Sequence, residues 1–126
     1  RGLRQLLELE DDLRVIGEAG NGLEALQLVS ELQPQLVLLD NNMPEMNGVE
    51  TLKRLREQGY KGKILLFTVS DDETDVRDAM RFGADGYLLK RTKPADLRAA
   101  LLDVLRGGAP MTSEIARRVI ESFRQQ

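Results

Sequence analysis

Leu36-Val37-Leu38-Leu39-Asp40 is the stretch that decides the fold, an apolar run without alternation that ends abruptly in a carboxylate. A strand wet on one face alternates apolar and polar side chains, whereas an unbroken run bounded by turns suits a strand covered on both faces. Two more such runs follow, Ile64-Leu65-Leu66-Phe67 and the shorter Tyr87-Leu88-Leu89. Helical stretches lie between them near 48–58 and 72–82. Another near 95–106 has Leu97, Leu101, Val104 and Leu105 as its inner stripe. Strands alternating with helices predict parallel pairing through right-handed crossovers. Upstream, Leu3, Leu6, Leu7 and Leu9 form a partial helical stripe over 3–9, and residues 13–16 have strand composition. Asn21-Gly22 then leads into a helix with Ala25, Leu26, Val29 and Leu32 on one face, stopped by Pro34.

Composition narrows the chemistry. The 126 residues have room for one domain, and 41% hydrophobic with 31% charged residues is an ordinary balance for a solvated globular core. A net charge of −3 gives no electrostatic footprint for nucleic acid. No apolar run approaches the roughly 20 residues that span a bilayer, and no signal peptide precedes the first helical segment. Without cysteine there is no disulfide framework or thiolate metal site, which fits a cytoplasmic setting. The lack of histidine removes imidazole acid–base chemistry, a phosphohistidine donor, a Ser-His-Asp triad and a His-based zinc site. Carboxylate, hydroxyl and ammonium chemistry remain. Because it begins at Arg1 and not methionine, the sequence is read as starting inside a longer chain.

The three buried runs end in Asp40, Thr68 and Lys90. In a doubly wound parallel sheet the carboxyl ends of the strands lie along one edge, where ligands bind. A carboxylate, a hydroxyl and an ammonium converging there suit an anion attached to, or resting against, Asp40. Singly, each has a blander explanation. Asp40 alone is more often a cap or turn former, Thr68 a β-branched strand end, and Lys90 a solvated surface lysine. The three at corresponding strand ends are a much stronger signal.

At this point the chain resembles a known family. Leu38-Leu39-Asp40-Asn41-Asn42-Met43-Pro44-Glu45-Met46-Asn47-Gly48 resembles the phosphorylation-site segment of receiver domains of two-component response regulators. Phe67-Thr68-Val69-Ser70 is similar to the end of their fourth strand, and Gly83-Ala84-Asp85-Gly86-Tyr87-Leu88-Leu89-Lys90 to the segment around their fifth. Val15-Ile16-Gly17-Glu18-Ala19 followed by Asn21-Gly22 points to the NarL/FixJ subfamily.

The resemblance implies a flavodoxin-like, doubly wound parallel sheet of order 2-1-3-4-5. It implies that Asp40 is the nucleophile that accepts a phosphoryl group from a sensor histidine kinase. Mg²⁺ would be held by Asp40 and the backbone carbonyl of Asn42. Thr68 would turn toward the new phosphoryl group, Lys90 would neutralise it, and Tyr87 would swing inward as the switch. Tyr87 without the family reads as an ordinary packed aromatic. The domain would promote its own phosphorylation and dephosphorylation without being an enzyme in the ordinary sense, and would control transcription through a DNA-binding output domain.

Two departures stand out. The family's acidic pair after the first strand is not found. Asp11-Asp12 precedes residues 13–16 and reads as a solvated loop pair, while Asp71-Asp72 follows Thr68 and reads as a cap for the next helix. The first strand of the order is thus expected to be missing from these residues. Arg91 also follows Lys90 where many receivers have proline, a substitution common in the NarL/FixJ group.

Residues 1–107 are accordingly expected to form an N-terminally incomplete receiver. Gly107-Gly108-Ala109-Pro110 opens a stretch, 108–126, leading toward a helix-turn-helix domain. Thr112 or Ser113 is a candidate cap for an extra helix striped by Ile115, Ala116, Val119, Ile120 and Phe123. That helix reads equally as a packed accessory and as a contact to another domain or copy. A homodimer would use the 72–106 face or the 112–124 helix. Two other functions compete. A phosphatase of the haloacid-dehalogenase type would need a second aspartate where Asn42 stands. A phosphorylation-independent receiver acting as an interaction module fits the missing acidic pair, against the retention of Asp40, Thr68 and Lys90.

Overall fold

A computed structural model describes residues 12–40 and 45–125. The helix expected over 3–9, Asp11 and Asn42 lie outside the described residues. The described elements run α1 (Gly22–Leu32), β1 (Leu36–Leu39), α2 (Gly48–Glu57), β2 (Lys63–Thr68), α3 (Glu73–Arg81), β3 (Gly86–Leu89), α4 (Pro94–Leu105) and α5 (Ser113–Arg124). The strands form one parallel sheet in the order β1-β2-β3, with Leu38 opposite Leu65 and Leu65 opposite Gly86.

Helices α1, α2 and α3 start where the sequence supplies a side-chain acceptor for orphan backbone donors. Asn21 accepts from Glu24 N–H at 2.9 Å, Asn47 from Glu50 N–H at 2.8 Å, and Asp72 from Thr74 N–H at 2.8 Å. Helix α1 ends with Gln33 in the left-handed conformation (φ 46°), and Pro34 cannot extend it.

The unbroken apolar strands bury both faces, as their composition requires. Ile64, Leu66, Tyr87 and Leu89 join Val29, Leu39, Leu52, Leu55, Val76 and Ile115 on one face, beneath α1, α2, α3 and α5. Leu65 and Leu88 join Leu97, Ala100 and Leu101 of α4 on the other. Successive strand residues alternate between these two clusters, which is the period of a pleat.

Residues 13–16 do not form the strand their composition suggests. Leu13 and Val15 pack onto the α4 side of the sheet, against the cluster of Leu65, Leu88 and Leu97.

Two features position the active edge without touching it. At the opposite end of the strands, Arg56 donates to the carbonyls of Tyr60, Gly62 and Gly83 and to the carboxylate of Asp85 at 2.8–3.2 Å. Asp85 in turn accepts from Ile64 N–H at 2.9 Å, tying the start of β2 to the approach to β3. On the outer edge of β3, residues 110–112 run parallel to the strand. Tyr87 N–H donates to Pro110 O at 3.0 Å and Thr112 N–H to Tyr87 O at 3.2 Å. Gly86 is what lets that backbone approach, because a Cβ there would fall 2.8 Å from Pro110 O.

Candidate functional site

Strand register brings the chemistry to one edge. Leu39 lies opposite Leu66 and Thr68 opposite Leu89, so Asp40 and Lys90, each one residue past a strand, flank Thr68 at the end of the central strand. Lys90 Nζ donates to Asp40 Oδ2, an ion pair that spans the end of β2. The two side chains are 40% (Asp40) and 34% (Lys90) exposed, so both are open to solvent. Lys90 N–H also donates to Thr68 O at 2.8 Å, which fixes the backbone that carries the ammonium.

Thr68 is fully buried, and its Oγ1 accepts from Ser70 N–H at 3.2 Å. Ser70 is shared. Its carbonyl accepts the Tyr87 hydroxyl at 2.8 Å, and its own hydroxyl donates to Asp75 at 3.0 Å. Tyr87 is wholly inward and buried, so the sheet-end group Asp40–Lys90–Thr68 connects through Ser70 to an aromatic on β3. Burial raises the Tyr87 hydroxyl well above the usual tyrosine range, and the carboxylate of Asp75 adds to the shift. Tyr87 therefore stays a neutral hydrogen-bond donor at any physiological pH.

Of the residues singled out in the sequence, Asp40 and Lys90 meet directly. Thr68 joins them through the Lys90 backbone, and Tyr87 joins through Ser70. Asn42 lies outside the described residues. Asp12 is drawn to Arg98 on α4, Asp71 lies 3.9 Å from Arg118 on α5, and Asp72 caps α3, so none of these acidic residues is placed with Asp40. Thr112 occupies the cap position of α5, yet its hydroxyl makes no cap bond and instead accepts from Leu89 N–H at 2.9 Å. The linking role of Ser70 and the bond from Leu89 N–H to Thr112, which the sequence offered only as a helix cap, escaped the sequence reading because backbone-directed hydroxyls leave no pattern in composition or spacing.

The family's Mg²⁺ needs several oxygen ligands. Among the described residues no group of three or more carboxylates comes together. The described donors alone do not amount to a metal site. Nor is any described helix long and apolar enough to cross a membrane.

Comparison with known proteins agrees with the geometry. A family model described as the response regulator receiver domain matches residues 1–102. The nitrate/nitrite response regulator protein NarL of Escherichia coli is 44% identical over 123 residues, covering 98% of this chain and 57% of that protein. NarP of the same organism is 41% identical over 126 residues, covering 100% of this chain and 57% of that protein. The chain thus spans a little over half the length of these curated relatives. Among solved structures, a LuxR-family two-component response regulator from an Aurantimonas species superposes with a TM-score of 0.87 at 31% identity, covering 98% of this chain and 87% of that one. The signal receiver domain of a NarL response regulator from Mycobacterium tuberculosis gives 0.78 at 32% identity, covering 83% and 85%.

Proposed function

From the premise that the chain belongs to the response regulator receiver domain family, in its NarL group, we propose that it is a phosphoacceptor switch with Asp40 as the acceptor. An Asp40 carboxylate oxygen attacks the phosphorus of a phosphohistidine on a sensor histidine kinase. The P–N bond breaks, an acyl phosphate P–O bond forms, and the leaving imidazole nitrogen takes up a proton. Such transfer depends on in-line positioning and charge neutralisation. Lys90 supplies the charge. Its ammonium, paired with the carboxylate beforehand, shifts onto a phosphoryl oxygen as the negative charge grows. Thr68 rotates its hydroxyl from Ser70 N–H to the phosphoryl group, and Tyr87 carries the change to β3.

The observation that carries this reading is the Lys90–Asp40 pair across the end of β2, with Thr68 between. A phosphatase would turn its intermediate over with a second aspartate, and Asn42 stands at that position. Receivers use Mg²⁺ in phosphorylation. Here Asp40 and the Asn42 carbonyl would help to hold it. In a longer parent protein, residues 1–107 would form the receiver. Residues 108–126 would lead to a DNA-binding output domain that regulates transcription in the cytoplasm.

One observation favours a second reading, the phosphorylation-independent interaction module. It is the absence of an acidic cluster among the described residues. Intact-mass measurement after incubation with acetyl phosphate and Mg²⁺ separates the two. The phosphoacceptor reading expects one phosphoryl adduct in the wild-type chain and none in Asp40→Ala. No adduct in either would favour the module.

A further inference from the structure

Several contacts tie the C-terminal segment to residues of the switch and to their neighbours. Residues 110–112 pair with Tyr87 through both its N–H and its carbonyl. The Thr112 hydroxyl takes the N–H of Leu89, next to Lys90. Ile115 is fully buried in the same cluster as Tyr87 and Val76, with Met111 and Val119 packed against it. Arg118 reaches toward Asp71, the residue after Ser70, and Glu114 pairs with Arg91, the residue after Lys90. These two ion pairs are exposed and weak, but they place α5 against both loops that leave the site.

Tyr87 is consequently 0% exposed with its hydroxyl on Ser70. It cannot turn outward unless part of its cover moves, and residues 110–115 are the cover that lies along its own strand. The docked C-terminal segment thus covers the inward Tyr87.

We infer that residues 110–124 act as a latch that closes over the inward Tyr87, so that docking of this segment and phosphorylation of Asp40 favour each other. The inference rests on the phosphoacceptor reading, in which phosphorylation draws Tyr87 inward. Two sites coupled through one two-state element bias it reciprocally. Phosphorylation tightens the latch, and a loosened latch weakens the hold on the phosphoryl group. The packed helix α5 is then neither an inert accessory nor a passive spacer. It is the first element to read the state of the site.

Backbone amide exchange tests this on the full chain, before and after reaction with acetyl phosphate and Mg²⁺, with phosphoryl occupancy followed by intact mass. The expected result is an adduct, together with at least threefold slower exchange at Thr112 and along Ala116–Phe123. In parallel, Thr112→Val, which removes only the acceptor for Leu89 N–H, and Ile115→Ala should weaken binding of beryllofluoride, a non-transferable phosphoryl mimic, by at least threefold. Thr112→Val guards against simple unfolding of the more drastic variant. An adduct with unchanged exchange, or unchanged beryllofluoride binding in a folded Thr112→Val, overturns the latch and leaves the phosphoacceptor reading intact. No adduct in the wild-type chain overturns both.

Discussion

Lys90 holds Asp40 from across a strand to which neither belongs. The carboxylate follows β1, the ammonium follows β3, and β2 runs between them, so their meeting depends on the parallel register of the whole sheet. Local sequence does not bring them together. A pair built this way senses sheet alignment and is open to solvent, which suits a charge that must be handed to an arriving anion.

Removing that charge should separate folding from signalling. Both partners are more than one-third exposed, and exposed pairs contribute about 1 kcal/mol or less. Lys90→Ala should therefore keep its thermal midpoint within a few degrees of wild type. Its phosphorylated form should lose the change at Tyr87 and β3, because the ammonium–phosphoryl contact is gone. NMR shifts of the Tyr87 and Leu89 amides, recorded with and without acetyl phosphate, give the readout. Wild-type-sized phosphorylation-dependent shifts in Lys90→Ala would remove Lys90 from the mechanism.

Arg56 should be the costliest surface-proximal residue to lose. Its guanidinium serves three carbonyls and one carboxylate, and truncation leaves those acceptors and the Ile64–Asp85 link poorly satisfied. Arg56→Ala should lower unfolding free energy by about 2–4 kcal/mol, the scale for breaking a partly buried network. Arg56→Lys should recover little, since a single ammonium cannot reproduce the fork. Urea midpoints for the three proteins decide it, and a loss near zero would show the network to be ornamental.

What the sequence disclosed follows from which interactions are local. The runs 36–39, 64–67 and 87–89 read as buried strands because covered parallel strands need apolar side chains on both faces. The structure extends them by a residue or two, to Lys63–Thr68 and Gly86–Leu89. Asn21, Asn47 and Asp72 sit at helix starts because caps are made within a few residues. Residues 13–16 have strand composition yet are not a strand in the structure, because composition reports fitness for a ladder and not the ladder itself. The pairing of 110–112 with Tyr87 was illegible for the converse reason. It uses backbone atoms of a proline-containing loop, and only Gly86, twenty-odd residues away, hints at the close approach.

Alkaline pH should expose the buried switch. Tyr87 has a folded-state value above that of the unfolded chain, so the folded protein retains a proton that the unfolded chain loses near pH 10. Stability from this group is complete below about pH 10 and declines as pH rises from there toward the folded value. Urea midpoints of wild type and Tyr87→Phe should thus differ by a constant amount up to pH 9 and converge above pH 10. Parallel curves through pH 11 would mean that Tyr87 is not held neutral by burial.

The chain alone should show no sequence-selective binding to DNA at physiological salt. With a net charge of −3 it lacks the clustered cations whose counterion release drives such binding. A salt-sensitive, sequence-dependent mobility shift by these 126 residues would contradict this.

The location of the phosphoryl group is the most direct test of the whole scheme. An acyl phosphate on aspartate is reduced by borohydride to homoserine, which marks the residue permanently before digestion. After reaction with acetyl phosphate and Mg²⁺, peptide sequencing should find homoserine at position 40 alone, and none in Asp40→Asn. Homoserine at Asp71 or Asp72, or its absence from position 40 in a chain that has gained a phosphoryl mass, would contradict Asp40 as the acceptor.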